Sequence, residues 1–174
     1  MALDPPPTAK KRLWPNTVPA LQSEPHMFQW RFRPWKGEPI QNTYGGKAVL
    51  DSEGRAVFAE LAIIGVLKQH GFDGAAWVDS YRKCFRNAMP PQKCELPDHV
   101  LRVYSRIAEA NGKKAGCWDV IAWNSENVSF VECKRKGKDR MTANEWKWLD
   151  SALKVGIALK NFAICEWEFD GASG

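Results

Sequence analysis

The sequence predicts an α/β fold, with a β-sheet covered on both faces by helices. Three observations predict it. Helical patterns over 52–70, over 96–110 and from Thr142 onward alternate along the chain with β-rich runs over 74–81, 117–133 and 161–168. Two of the helical patterns stop on Gly71 and on Asn111-Gly112, residues suited to a helix C-terminus. The run from Gly116 to Lys134, GCWDVIAWNSENVSFVECK, places two short β-rich stretches around four turn formers, the signature of a hairpin.

The chain has 174 residues, a length that suits one domain with a decorated end. From Met1 to about Leu50 it reads as an irregular arm, because eight of the 11 prolines fall there. Lys10-Lys11-Arg12 forms a small basic cluster within it. Phe28 to Trp35 (FQWRFRPW) interleaves aromatics with Arg31 and Arg33. Such a segment either stacks bases and meets phosphates, or packs its rings on the domain with arginines reaching water. The packed arm is the preferred reading. Tyr44-Gly45-Gly46 marks a turn before the domain proper.

Ser52 to His70 is expected as the first helix, with Ser52 as N-cap and Val57, Leu61, Ile64 and Leu67 at helical spacing. Glu60 sits inside this apolar run, either as a flank position reaching solvent or as an acid aimed at a site. Gly74 to Tyr81 is a strand expected to pair with the hairpin, and Asp79 on it is left open between structure and site. Arg82 to Pro97 is a basic insertion carrying Arg82, Lys83, Arg86 and Lys93, either a nucleic-acid contact or a solvated connection. Pro97-Asp98 opens an amphipathic helix over Leu96–Ala110 and needs no chemistry to explain it.

In the hairpin, closing the loop at Trp123 and Val128 sets Ile121 opposite Phe130 and Asp119 opposite Glu132. Side chains repeat every second residue, so Asp119, Ile121, Phe130, Glu132 and Lys134 are expected on one face. Trp118, Val120, Ala122, Val131 and Cys133 take the other. A hairpin apolar on both sides is central and covered. Two opposed carboxylates there need a cation between them; Lys134 supplies one charge and a divalent metal is the natural other. The plain alternative is a solvated face with an ordinary salt bridge. Beyond it, Arg135, Lys136, Lys138 and Arg140 are either a soluble loop or a grip on phosphates. Thr142 and Glu145 form a capping box, and Trp146, Leu149, Ala152 and Leu153 a buried stripe. Asn161 to Glu168 is the last strand, followed by a frayed tail.

Asp119, the hairpin and then Glu132-Cys133-Lys134 resemble the core of the PD-(D/E)xK nuclease superfamily. The basic loop and the helix NEWKWLDSALKVG are similar to its VRR-NUC branch, with Trp148-Leu149 and Gly156 in the positions of that branch's aromatic-Leu pair and closing Gly. Glu145 stands where the branch usually has Gln. The resemblance spans about Glu53 to Glu168. It implies a restriction-endonuclease-like core, a mixed sheet whose central hairpin carries the site. It further implies catalytic Asp119, Glu132 and Lys134, with Glu60 and Glu145 as further site residues. Mg²⁺ or Mn²⁺ would be held by Asp119, Glu132, Glu60 and the backbone carbonyl of Cys133. The implied activity is hydrolysis of phosphodiesters, of DNA and of branched or flapped DNA in particular, as an endo- or exonuclease. Arg82, Lys83, Arg86, Arg135, Lys136, Lys138 and Arg140 would meet the backbone. A non-catalytic module for nucleic acid or protein on the same fold is the alternative.

Composition is compatible with this reading. Net charge is +5, which suits a polyanionic partner. No apolar run approaches the roughly 20 residues of a membrane span, so no membrane partner is expected. MALDPPPTAKKRLWP holds no apolar signal core. The five cysteines form no CxxC, so reduced thiols and a cytoplasmic protein are expected, with a homodimer as one admissible assembly.

Overall fold

The structure, a computed structural model, describes residues 24–112 and 115–171. Its elements in chain order are β1 (His26–Pro34), β2 (Leu50–Ser52), β3 (Arg55–Val57), α1 (Ala59–Gln69), β4 (Gly74–Asp79), β5 (Cys84–Arg86) and β6 (Lys93–Cys94). There follow α2 (Asp98–Ala110), β7 (Val120–Trp123), β8 (Val128–Arg135), α3 (Ala143–Lys154), a 3-10 turn (Leu159–Asn161) and β9 (Phe162–Phe169). All nine strands form one mixed sheet in the order β3-β2-β1-β9-β8-β7-β4-β5-β6. β9 runs parallel to both β1 and β8, and the remaining pairs are antiparallel.

The β7–β8 hairpin has the register that alternation requires, with Trp123 opposite Val128 and Ile121 opposite Phe130. Its loop is closed by Asn124, whose side-chain oxygen accepts from the amides of Glu126 and Asn127. Alternation then divides the hairpin between two cores. Val120, Ala122, Val131 and Cys133 pack with α1. Ile121 and Phe130 pack with α2 and α3, where the Phe130 and Phe162 rings stack 5.0 Å apart. Burial of a side chain of that size stabilises the fold by about 1.5–3 kcal/mol. β4 pairs with β7, which places it beside the hairpin as expected.

Three segments differ from expectation. Residues 1–23 lie outside the described residues, but His26–Pro34 is no irregular arm: it is a strand of the main sheet, in register with β9 from His26↔Ala163 to Phe32↔Phe169. Phe28 and Phe32 are buried and Arg31 pairs with Glu168, so the aromatic-arginine alternation is that of a strand with one buried face. Arg33 is exposed.

The first helix starts at Ala59, seven residues after Ser52, because a two-residue hairpin intervenes. Glu53 and Gly54 both take left-handed backbone, with φ of 56° and 77°, and join β2 to β3. The side chain of Asp51 accepts from the Gly54 amide.

The basic insertion is not a free loop. Its β5 and β6 extend the sheet edge beyond β4. In α3 the expected capping box is present, and Trp148, not Trp146, is the fully buried tryptophan of its stripe. Among the described residues no helix is long and apolar enough to cross a membrane, and all five cysteines are free.

Candidate active site

Four segments converge where β7 and β8 leave the centre of the sheet. The loop before β2 is shaped by Tyr44-Gly45-Gly46, all at positive φ, with the amides of Tyr44 and Gly46 held by the side chains of Asn42 and Thr43. It delivers Lys47, whose ammonium stands 5.3 Å from the Trp77 ring and pairs with Glu60. Glu60 lies in the first turn of α1, buried at 5 % exposure. β8 supplies Glu132 and Lys134, and α3 supplies Glu145.

Asp119 stands just before β7. Its carboxylate accepts from the Cys133 amide at 3.0 Å, and its own amide donates to Glu132 Oε2 at 3.1 Å. The two acids are therefore locked together by a reciprocal pair of backbone contacts. Asp119 does not share the face of Ile121, as strict alternation required. Regular pairing ends at Val120, and Trp118 turns to the same core as Ile121, so alternation is broken at Asp119. Its carboxylate instead reaches the side of Glu60 and Lys47, which both act on it electrostatically.

On the other side Lys134 Nζ donates to Glu132 Oε1 at 2.6 Å and to Glu145 Oε1 at 3.0 Å. Glu145 Oε2 meanwhile accepts from the Thr142 amide at 2.7 Å. One carboxylate thus caps α3 and holds the lysine. The cluster contains four carboxylates and two ammonium groups, so with all six ionised it carries two negative charges in excess.

That excess shows in the titration of the acids. Burial, and then Glu60, push Asp119 up from 3.8 to about 6. Burial, and then Asp119, push Glu132 well up, while Lys134 pulls it back. A 2.6 Å contact is that of a charge-assisted hydrogen bond, so Lys134 favours the ionised form of Glu132, and the two acids titrate as a pair. Lys134 is penalised by burial, but Glu132 and then Glu145 outweigh this and raise it, so it remains a cation at any working pH. Burial, then Asp119, holds the Cys133 thiol well above its usual range. The side chain therefore stays a neutral thiol, and a hard cation would meet this residue through its backbone carbonyl.

The remaining sequence-predicted residues divide. Lys138 and Arg140 are exposed on the segment between β8 and α3. Arg135 lies over the rings of Phe169 and Trp167, and Lys136 pairs with Glu168 at 2.9 Å. Arg82 and Lys83 are exposed on the turn after β4. Arg86 is not a surface cation: it is 6 % exposed, donates to Asp79 Oδ2 at 2.8 Å and to the Pro91 carbonyl at 3.0 Å, and braces that turn from inside. Asp79 is its buried partner and is held below the usual carboxylate range: burial opposes this, but the Arg86 hydrogen bond outweighs it.

Lys47, Tyr44 and Tyr81 belong to the site and carry no signal in the sequence. They lie on turns, and only the folded chain brings them to Asp119. Together with Trp77 and Arg82 they line a cleft of about 570 Å³ with Asp119 in its wall. A larger groove of about 960 Å³ lies along α1, but no acidic side chain lines it. Among the described residues, no group of three or more His, Cys, Asp or Glu side chains is arranged to hold a metal ion as it stands. No family model matches the chain, and no curated protein sequence matches it.

Proposed function

We propose that the protein is a divalent-metal-dependent nuclease built on a restriction-endonuclease-like core. The observation that carries this reading is the buried cluster itself, in which Asp119 and Glu132 are tied together with more acid than their lysines neutralise. Such a cluster costs stability and is retained where it does chemistry. Mg²⁺ is typically held by one or two carboxylates plus substrate phosphate rather than by a full protein cage, so the pair suffices without a third acid. Asp119 and Glu132 would hold the ion, with the Cys133 carbonyl beside them. Glu60 would join only if Lys47 releases it. When bound, the metal would polarise the phosphoryl oxygen and acidify a water.

The chain's own residues set the rest. Lys134 cannot act as a base, because it stays charged. It is held on two carboxylates and stabilises negative charge that develops on the phosphoryl group. Asp119, raised to about 6, would offer the cation a carboxylate near neutral pH. Lys138, Arg140 and Lys83 are exposed and suit contacts to a phosphate backbone, which position a duplex or strand without reading its sequence.

The test is cleavage of supercoiled and branched DNA with Mg²⁺ or Mn²⁺. Asp119→Ala, Glu132→Ala and Lys134→Ala should each lose about 100-fold or more. Cleavage equal to wild type in all three removes the mechanism. A binding module without hydrolysis is the competing reading, favoured by the Lys47–Glu60 pair, which already neutralises one acid. Calorimetric titration with Mn²⁺ separates them, because only the nuclease reading requires a bound ion.

A further inference from the structure

The turn after β4 presents a feature that hydrolysis does not require. Tyr81 is 89 % exposed, and among the described residues no other Phe, Tyr or Trp ring is exposed. The turn beneath it is firmly built. Asp79 accepts from the Arg82 amide at 3.1 Å, and its other oxygen is held by Arg86. Arg82 places its guanidinium 4.2 Å from the Tyr44 ring and 5.5 Å from the Tyr81 ring. Tyr44 is itself fixed edge-on against Trp77 and Phe58. The result is a lip of two tyrosines and an arginine over the cleft that leads to Asp119.

We infer that this lip is a stacking platform for an unpaired base, so that the substrate enters the cleft as a single-stranded or locally opened segment. The inference rests on the nuclease reading for what happens at Asp119, but not for binding at the lip. An exposed ring beside a guanidinium offers a π-face and a cation, the pair that single-strand binding surfaces use. Every base carries a π-face, so such a platform is indifferent to sequence. A paired duplex keeps its bases stacked on each other and presents only phosphates, which Lys83 and Arg82 would meet without Tyr81. Lys47, which also lines the cleft, supplies a second positive group for the strand. Asp119 makes the wall acidic, so the strand is held at the rim, where the ring and the guanidinium need no metal.

The experiment is fluorescence anisotropy in EDTA with a labelled oligothymidylate of about 12 nucleotides, within the range of single-strand site sizes. A blunt duplex of the same length serves as the second probe. Wild type should bind the single strand more tightly than the duplex. Tyr81→Phe should retain this, and Tyr81→Ala should weaken single-strand binding about tenfold while leaving the duplex unchanged. Because Tyr81 packs into no core, both variants should keep the wild-type circular dichroism and melting temperature. Equal binding of the single strand by Tyr81→Ala and Tyr81→Phe overturns the platform, as does an equal loss on both probes. If Tyr81→Ala binds like wild type while Asp119→Ala still abolishes cleavage, the platform fails and the nuclease reading stands. No binding of either probe by wild type, with no cleavage of DNA, defeats both.

Discussion

Asp119 shows how much one side chain is asked to tolerate. It is half-buried, and Glu60 acts on it more strongly than Lys134 or Lys47 does. The Cys133 amide donates to it at 3.0 Å. The sign of its effect on stability follows from linkage. Its folded pKa, about 6, lies above its ordinary 3.8, so the native state binds more protons than the unfolded chain between those values. Its contribution therefore favours the fold in acid and is lost as pH rises from about 4 through about 6. Asp119→Asn keeps an oxygen for the Cys133 amide and removes the charge. The variant should melt at a higher temperature than wild type near neutrality, and the gap should close as pH falls toward 4. Melts across this range without metal check it; a gap that widens in acid contradicts the assignment.

Elements explain why that residue was legible and others were not. The hairpin could be read because its pairing is local: four turn residues and strict alternation fix Ile121 on Phe130. The capping box of α3 could be read for the same reason. β1 could not, because its partner β9 lies at the other end of the chain and is parallel to it. The alternation of Phe28, Trp30 and Phe32 with Gln29, Arg31 and Arg33 was present, but the prolines around it drew the reading toward an irregular arm. The Glu53-Gly54 turn hid behind a helical pattern that Val57 and Leu61 extend upstream. At Asp119 alternation fails where the strand ends, and no sequence period reports that.

The same scale separates the two tasks of Glu145. Thr142→Ala removes the cap side chain but leaves Lys134 its two carboxylates. It should cost about 1 kcal/mol in urea unfolding and leave cleavage near wild type. Glu145→Gln keeps an oxygen toward the Thr142 amide and removes the charge from Lys134. It should leave stability closer to wild type while lowering cleavage. If Thr142→Ala and Glu145→Gln reduce stability and cleavage in the same proportion, Glu145 acts only through the helix.

At the scale of the whole molecule, charge is separated. The chain as a whole carries +5, yet its interior holds a cluster two negative charges in excess where the loop before β2, α1, the β7–β8 hairpin and α3 meet. Two lysines stand against four carboxylates there. A divalent ion that binds the native state and not the unfolded chain then acts as a structural strut as well as a reagent. At about a hundredfold excess over its Kd it should add about 2.7 kcal/mol, which raises the melting temperature of a domain this size by roughly 5–10 °C. Asp119→Ala should abolish the rise. Lys47→Met should behave in the opposite way: it strips Glu60 of its partner, so the metal-free protein melts lower, and the freed carboxylate makes the response to Mn²⁺ larger than in wild type. Scanning calorimetry of the three proteins with and without Mn²⁺ decides it. An identical rise in all three would place the ion elsewhere, and leave the acids of the hairpin as a purely internal network.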